Sequence, residues 1–537
     1  MSVRQNPLRL MLRSSLSLFA CAACFHSANA QTTAPQTDNE TASELLKKLN
    51  QLVEQNGKLE KQNRELMEQI NSLRTFLAKE GGLTTDTLQK EAVPSGSLDS
   101  GAGVQRPPEE PTHAANPLES EPDERSGVDV SGGDSSASQK DLNKWGTYTP
   151  NFGFKVADTE HGDMSISIYT YARYLNQLGL NATYTDAFGK VKNVQRRQDF
   201  QLNKVQIKFL GWLLDPKFRY FLYAWSSNAS QGLGAQVVLA GNLNYQFNEH
   251  FNVGAGIRSL PGTRSVEGNF PFWLGVDTRL IADEFFRPSY TSGVWAWGKI
   301  SDRLDYIAMV GNNLSTLGVS AAQLNNNFST LSTSLMWTTN KFGLGFGDFE
   351  HHEKLATRLA AHFTRSDEDR QEQPNSDQFE NTQIRLEDGT VIFTPDLFGP
   401  GISVTDLTYK MAAFDLGLKY HGYSLQGEYF LRWLDHFKGP GTTSLAPIFS
   451  HGFQLQASAM VLPKTLQAYL GGSTLDGKYG NPWDFRAGVN FFPWHNKVVR
   501  WNTEFIYLQQ SPVGYTSVPF ALGGLGPVFH TNLEVAF

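Results

Sequence analysis

The chain ends in Phe529-His-Thr-Asn-Leu-Glu-Val-Ala-Phe537. Successive strand side chains point to opposite faces. Phe529, Leu533, Val535 and Phe537 therefore share one face with Thr531 among them, and His530, Asn532, Glu534 and Ala536 share the other. An apolar face ending on a terminal aromatic, backed by a polar face, is how the closing strand of a transmembrane β-barrel reads, one side for lipid and one for a lumen. A half-buried strand of a water-soluble protein alternates in the same way, so the assignment depends on the rest of the chain.

Working back to Gly162, the sequence resolves into alternating segments joined by two kinds of connection. Short turns are readable at Asp215-Pro216-Lys217, Phe247-Asn248-Glu249-His250, Ser301-Asp302-Arg303, His351-His352-Glu353-Lys354, His421-Gly422-Tyr423, Pro463-Lys464 and Pro493-Trp494-His495-Asn496, and longer polar loops fall between them. Seven short turns interleaved with eight loops predict a sixteen-stranded antiparallel transmembrane β-barrel over 151–537, with both ends on the short-turn, periplasmic side. Within strands, Leu239, Gly241, Leu243, Tyr245 and Phe247 oppose Ala240, Asn242, Asn244, Gln246 and Asn248, and Tyr423 to Trp433 repeats the pattern. Aromatics beside the short turns, Trp212, Phe218, Tyr220, Phe247, Phe251, Phe491, Phe492 and Trp494, fit an interfacial girdle. The stretch Phe200 to Phe209 breaks parity, which predicts a bulge.

The N-terminal part reads differently. Residues 1–30 carry Arg4, Arg9 and Arg13, an apolar stretch from Leu16 to Phe25, and Ala28-Asn29-Ala30, the pattern of a secretory signal peptide cleaved before Gln31. Leu18-Phe19-Ala20-Cys21 is a poorer match to a lipoprotein processing site. Both cysteines, Cys21 and Cys24, lie in this segment, so the exported chain is expected to hold no disulfide. In 41–80, Leu45, Leu52, Leu59, Leu66 and Leu73 occupy d positions and Leu49, Asn56, Asn63, Ile70 and Leu77 occupy a positions. This unbroken heptad predicts an oligomerising, left-handed α-helical coiled coil, with Asn56 and Asn63 setting register. Residues 81–150 hold twelve acidic against five basic side chains and few large apolar ones, which reads as a disordered linker. That excess equals the net charge of −7 of the entire chain, leaving the remainder near neutral.

If the apolar face meets lipid, the other face lines a lumen. Strand parity puts Arg173, Lys204, Lys208, Arg258, Arg358, Arg432, Arg486 and Arg500 inside with His362, against Asp415, Glu428, Glu504 and Glu534. An excess of fixed positive charge in a low-dielectric tube favours anions, unless these arginines are spent on cross-strand pairs. The loop between Ser259 and Tyr290 carries Phe270-Pro271-Phe272-Trp273 and Arg264, Asp277, Arg279, Asp283, Glu284 and Arg287. Thirty residues of such composition are expected to fold into the barrel rather than extend into water. Arg264, Arg279 and Arg287 are then eyelet candidates with forks suited to carboxylate or phosphate, with Asp277 and Glu284 available to satisfy them internally.

Arg196-Arg197 entering the second strand, the hairpin Gly211-Trp-Leu-Leu-Asp-Pro-Lys-Phe-Arg-Tyr220, the arginine-bearing third loop, Trp501-Asn-Thr-Glu-Phe-Ile-Tyr507 and the terminal Phe537 together resemble the phosphate-selective porin O and P family. The resemblance covers residues 160–537. It implies a trimeric sixteen-stranded channel in the outer membrane of a Gram-negative bacterium, passive uptake of small anionic solutes through a basic constriction, and recognition of Phe537 by the barrel assembly machinery. Some porins similar to the family carry an N-terminal periplasmic coiled coil, as 41–80 would be. The phosphate-binding members use a dense ladder of arginines and lysines. Here the inner basic positions are sparser and mixed with Asn, Gln and Glu, which leaves a dicarboxylate or another small anion beside phosphate.

The residues offer no enzyme constellation: there is no P-loop, dinucleotide fingerprint or G-x-S-x-G elbow. No cofactor or metal is expected, since His351 and His352 are neighbours that a turn explains. A near-neutral barrel with an acidic linker lacks the basic stripe of a nucleic-acid binder. The competing function is a barrel anchor that tethers the outer membrane to the cell wall or to a periplasmic partner.

Overall fold

The structure, a computed structural model, describes residues 148–149, 153–226, 237–267, 272–314, 328–371, 381–515 and 517–537. The segments read as signal peptide (1–30), coiled coil (41–80) and linker (81–150) lie outside the described residues, except for Tyr148–Thr149 at the linker's end.

Sixteen strands follow one another in chain order: β1 (Gly162–Asn176), β2 (Gln198–Leu213), β3 (Asp215–Ser226), β4 (Val237–Gln246), β5 (Asn252–Ser259), β6 (Tyr290–Ser301), β7 (Leu304–Gly311) and β8 (Thr330–Thr338). The second half comprises β9 (Ala356–Asp369), β10 (Asp406–Tyr420), β11 (Tyr423–Lys438), β12 (Ile448–Leu462), β13 (Leu466–Gly477), β14 (Trp483–Phe491), β15 (Val499–Gln509) and β16 (Gly526–Ala536). Each pairs antiparallel with the next, and β16 returns to β1, from Phe529 opposite Asn176 to Ala536 opposite Tyr169. The barrel is closed.

Below that seam the strand Gly153–Thr159 pairs with the lower part of β1 and is itself paired by Tyr148–Thr149. It continues the line of β16 past the C-terminus. Phe537 exchanges backbone bonds with Ile168, its carbonyl accepts from Ser167 Oγ at 2.5 Å, and its ring meets Phe154 edge-on at 5.7 Å.

The distribution of side chains is inverted relative to a water-soluble protein. Leu239, Leu359, Phe414, Leu416, Phe453, Phe485, Trp501, Phe505, Phe529 and Leu533 are exposed on the outer surface, whereas Arg173, Asn203, Glu428, Arg432, Asn490, Arg500 and Asn532 are buried within. A continuous apolar belt of this extent is not tolerated by water and suits hydrocarbon. Phe247, Phe251, Phe491 and Trp494 lie exposed beside the short turns, as expected for a girdle, but Phe492 turns inward and is 2% exposed, its ring against Phe349.

The parity break in β2 is a bulge. Tyr169 pairs with Gln206 and Tyr171 with Asn203, so β2 spends one residue more than β1 there. Asn203 and Lys204 are both buried, and Lys204 has a φ of 51°, the left-handed backbone that lets two successive side chains face one side. The turn readable at His351–Lys354 is only the end of a connection that runs from Thr339 to Leu355, far longer than a hairpin requires.

These positions yield an opposed pair of expectations. Deleting Lys204 removes the bulge without changing the face of any other β2 side chain, and that variant is expected to fold into a heat-modifiable barrel. Deleting Val205 instead turns Lys204 toward lipid, at a cost of about 2–4 kcal/mol if it sits near the bilayer midplane. Urea titration in lipid vesicles measures the difference, and equal stability of the two deletions would refute the bulge assignment.

Candidate functional site

The lumen is organised by three loops that fold into it and by the connection 339–355, which enters from the opposite, short-turn end. The loop after β5 carries a single-turn helix, α1 (Ile281–Phe286), all six residues of which are buried. Phe286 stacks on Phe430 of β11 at 5.2 Å, Ala282 N–H donates to Ser473 Oγ of β13 at 3.1 Å, and Phe286 O accepts from the Tyr409 hydroxyl of β10 at 2.8 Å. The stretch before α1 is fixed by its own carbonyls. Trp273 O accepts from Arg500 Nη1 at 2.6 Å, Leu274 O from Asn490 at 2.9 Å, Val276 O from Arg173 Nη2 at 2.8 Å and Arg279 O from Arg486 Nη2 at 2.8 Å. Four inner strand residues thus hold an irregular backbone that has no ladder of its own. The loops after β9 and β15 add Ile384, Leu386, Ile392, Phe393, Val513, Val518 and Phe520 to one apolar cluster with Phe286, Phe430, Leu475 and Ile506.

The cations expected from parity are all internal, and most are paired. Arg358 grips Asp415 at 2.7 and 3.2 Å, and His362 Nε2 reaches the same carboxylate at 2.8 Å. Arg500 grips Glu534 at 2.6 and 2.9 Å. Arg486 pairs with Asp484 at 2.7 Å and Glu504 at 3.5 Å. Arg432 meets Glu387, from the loop after β9, at 3.4 Å and Ser450 at 3.1 Å. Arg173 donates to Asn532, Ser517 O and Val276 O at 2.7–2.8 Å, which makes it a clamp on two loops. In the third loop Arg287 pairs with Glu284 at 2.8 Å, and Arg279 with Glu284 at 3.5 Å while it lies over Trp273 at 4.1 Å. Arg264 donates to Leu344 O at 2.6 Å. Glu428, expected inside, accepts from Arg264 N–H and from Gln454, both at 2.9 Å.

The inner wall from β2 to β6 is different. Lys204 at the bulge pairs with Asp277 at 2.7 Å, and Asp277, with φ of 49°, also accepts from the Tyr171 hydroxyl at 2.9 Å. Lys208 is buried on the same strand, and the Arg258 guanidinium lies 5.0 Å over the Trp295 ring. The acidic residues of β2–β6 are Asp199 and Asp215, at the two rims. Phe221, Tyr223 and Trp225 of β3 and Asn242 and Asn244 of β4 share this inner face. Parity gave no weight to the β3 aromatics, whose alternation Phe221-Leu-Tyr223-Ala-Trp225 is visible in the chain.

The connection 339–355 was not legible as part of the lumen. Its signal is the run Phe342-Gly-Leu-Gly-Phe-Gly-Asp-Phe349, in which glycine alternates with large apolar residues. Phe342 and Phe346 are 1% and 3% exposed. Lys419 Nζ of β10 donates to Phe342 O at 2.8 Å, Gln426 of β11 to Phe346 O at 2.5 Å, and Phe346 N–H to Phe272 O of the third loop at 2.8 Å. Lys497 reaches Glu350 at 2.6 Å. His352 is a local brace: its Nδ1 lies 2.5 Å from Asp348, whose carboxylate also accepts from Gly422 N–H at 2.7 Å.

Burial pushes the Asp348 carboxyl up, but the bonds from His352 and Gly422 outweigh it and hold it below the usual carboxylate range. The bond to Asp348 raises the His352 imidazole against the opposing effect of burial. The raised imidazole contributes stability that is full below the ordinary histidine range and lost as pH climbs through its raised value. The depressed carboxyl contributes stability lost as pH falls through its own. The brace is therefore strongest in the acid window between them. A His352→Gln variant should lose thermal stability against the parent mainly in that window, measured as the heat-modification midpoint across pH, with the difference shrinking at alkaline pH. A difference that is constant across pH would refute the brace.

No protein-family model and no curated protein matches the chain. Among solved structures the chain is similar to outer-membrane expressed OmpT of Vibrio cholerae, at 10% identity over 71% of this chain and 99% of that one, with a TM-score of 0.45. It is also similar to the anion-selective porin from Comamonas acidovorans (10% identity, 70% and 100% coverage, TM-score 0.43) and to the outer membrane channel DcaP of Acinetobacter baumannii (8%, 71% and 99%, 0.42). By its own strand count and closure, the chain is a sixteen-stranded porin-like β-barrel of the outer-membrane type.

Proposed function

We propose that the protein is an outer-membrane porin through which small hydrophilic anions, carboxylated or phosphorylated, diffuse passively, and that it works as a homotrimer. The observation that carries this reading is the charge of the β2–β6 wall. Lys204, which takes Asp277 of the third loop as its partner, Lys208 and Arg258 face inward there, and the strands themselves bear acid only at the rims. Opposite them, from β9 to β16, inner cations are matched by Asp415, Glu387, Asp484, Glu504 and Glu534. Matched pairs cancel at a distance, so the wall whose strands carry inner cations and acid only at the rims contributes most to the positive field along the tube. Anion preference thus rests on fewer residues than strand parity implies. Arg264, Arg279 and Arg287 serve chiefly to shape the third loop.

Single-channel recording of the purified protein in a planar bilayer under a salt gradient tests the reading. Current steps grouped in threes with a reversal potential biased toward the anion are expected. Lys208→Gln combined with Arg258→Gln should lower the anion-to-cation permeability ratio by roughly twofold or more, as expected for removing two fixed charges from a narrow low-dielectric tube. Arg279→Gln should leave the ratio nearly unchanged. An unaltered ratio in the double variant would refute the wall as the selectivity element, and a silent bilayer with folded protein would refute the channel.

A further inference from the structure

We propose that the periplasmic connection 339–355 is a movable gate, seated in the lumen in the described state and able to swing out to widen the path. The proposal rests on the reading of the barrel as a channel. A two-residue turn would join β8 to β9, because the ladder already extends to the connection's ends: Thr338 lies opposite Arg358 and Thr339 N–H bonds to Thr357 O at 2.9 Å, a register that puts Asn340 opposite Ala356. Ordering fifteen residues, Lys341 to Leu355, where two would close the hairpin costs conformational entropy that a plain turn avoids, and long ordered connections in compact folds carry function.

The segment is built to pivot. Asn340, Lys341 and Gly343 at one end and His351 at the other have φ between 49° and 68°, conformations that terminate regular structure and concentrate the bend at a few positions. Between them Gly343, Gly345 and Gly347 alternate with Leu344 and Phe346, a backbone that can lie close against a wall. What seats it is a small set of contacts: the Phe342 ring packs over Gly417, where no side chain intervenes, Lys419 and Gln426 bond its carbonyls, and Lys497 holds Glu350. Arg264 Nη2 to Leu344 O and Phe346 N–H to Phe272 O join it to the third loop. A segment entering from the periplasm and a loop entering from outside therefore meet inside the tube, and displacing the former widens the passage beside the latter.

Two variants of the full chain test the gate. The first replaces 341–355 by Asn-Gly, which joins Asn340 to Ala356 in the existing register; it should show a larger unit conductance and lack the closing transitions of the parent. The second exploits the chain after Cys24, which has no cysteine. A Cβ placed at Gly347 would lie 3.3 Å from Ser458 Oγ and 2.0 Å from Gln467 Nε2; once the flexible Gln467 amide turns aside, position 458 is within reach of a disulfide, whose Cβ atoms stand about 3.8 Å apart. Gly347→Cys with Ser458→Cys, oxidised, should hold the channel at its low-conductance level, and reduction should restore the transitions. Equal conductance of parent and shortened variant would overturn the gate while leaving the channel intact. If oxidation leaves the transitions unchanged, the segment is fixed and the proposal is likewise overturned. Silence of parent and shortened variant alike, with folded protein in the bilayer, would overturn the channel reading and the gate with it.

Discussion

Everything in this molecule depends on the requirement that a backbone crossing hydrocarbon satisfy its own hydrogen bonds. Lipid offers no partners, so a sheet in a bilayer must close. Here the closing contact is β16 on β1, and the strand Gly153–Thr159 extends the cover beneath Phe537 so that the lower edge of β1 is also paired. Once the sheet is closed, the period-2 alternation assigns every side chain to lipid or to the interior, and the interior must accommodate whatever the sequence sends there.

That accommodation explains the lumen. Inner positions on β9–β16 hold buried cations, which are costly unless matched, and each is matched by a strand carboxylate, a loop carboxylate or loop carbonyls. The matching fixes the loops as firmly as the loops fix the charges. Arg500 serves Glu534 and the carbonyl of Trp273 at once, and Arg173 joins the loop after β15 to the third loop through Asn532, Ser517 and Val276. The strands of the β2–β6 wall carry acid only at Asp199 and Asp215, and Lys204 there takes its partner, Asp277, from the third loop.

The parts governed by local rules were legible in the sequence. Strand number, the order of short and long connections, the inner and outer faces and even the irregularity near Lys204 follow from alternation, because a one-residue slip would move charged residues into lipid. The internal placement of the third loop was legible from its length and aromatic content. Which arginines are paired was not: Asp484 lies two residues from Arg486 on the same face of β14, as alternation implies, but Glu387, the partner of Arg432, comes from a loop that periodicity does not relate to the strand. The segment 339–355 was misread as a tight turn since His351–Lys354 has turn chemistry, while the glycine-spaced apolar run before it has neither strand period nor helix period.

The seam has a consequence in time. Fifteen of the sixteen strand pairings join neighbours in the chain and can form as hairpins. The last joins residues such as Ser167 and Phe537, separated by 370 positions. Until that pair forms, both outer strands are open edges, and the loops have no enclosed volume to occupy. Closure is the slow, non-local step, and the order of events follows: the wall is completed first, the interior is furnished after. The strand that completes the wall follows the fifteen others in the chain, so a chain interrupted before β16 is left as an open sheet.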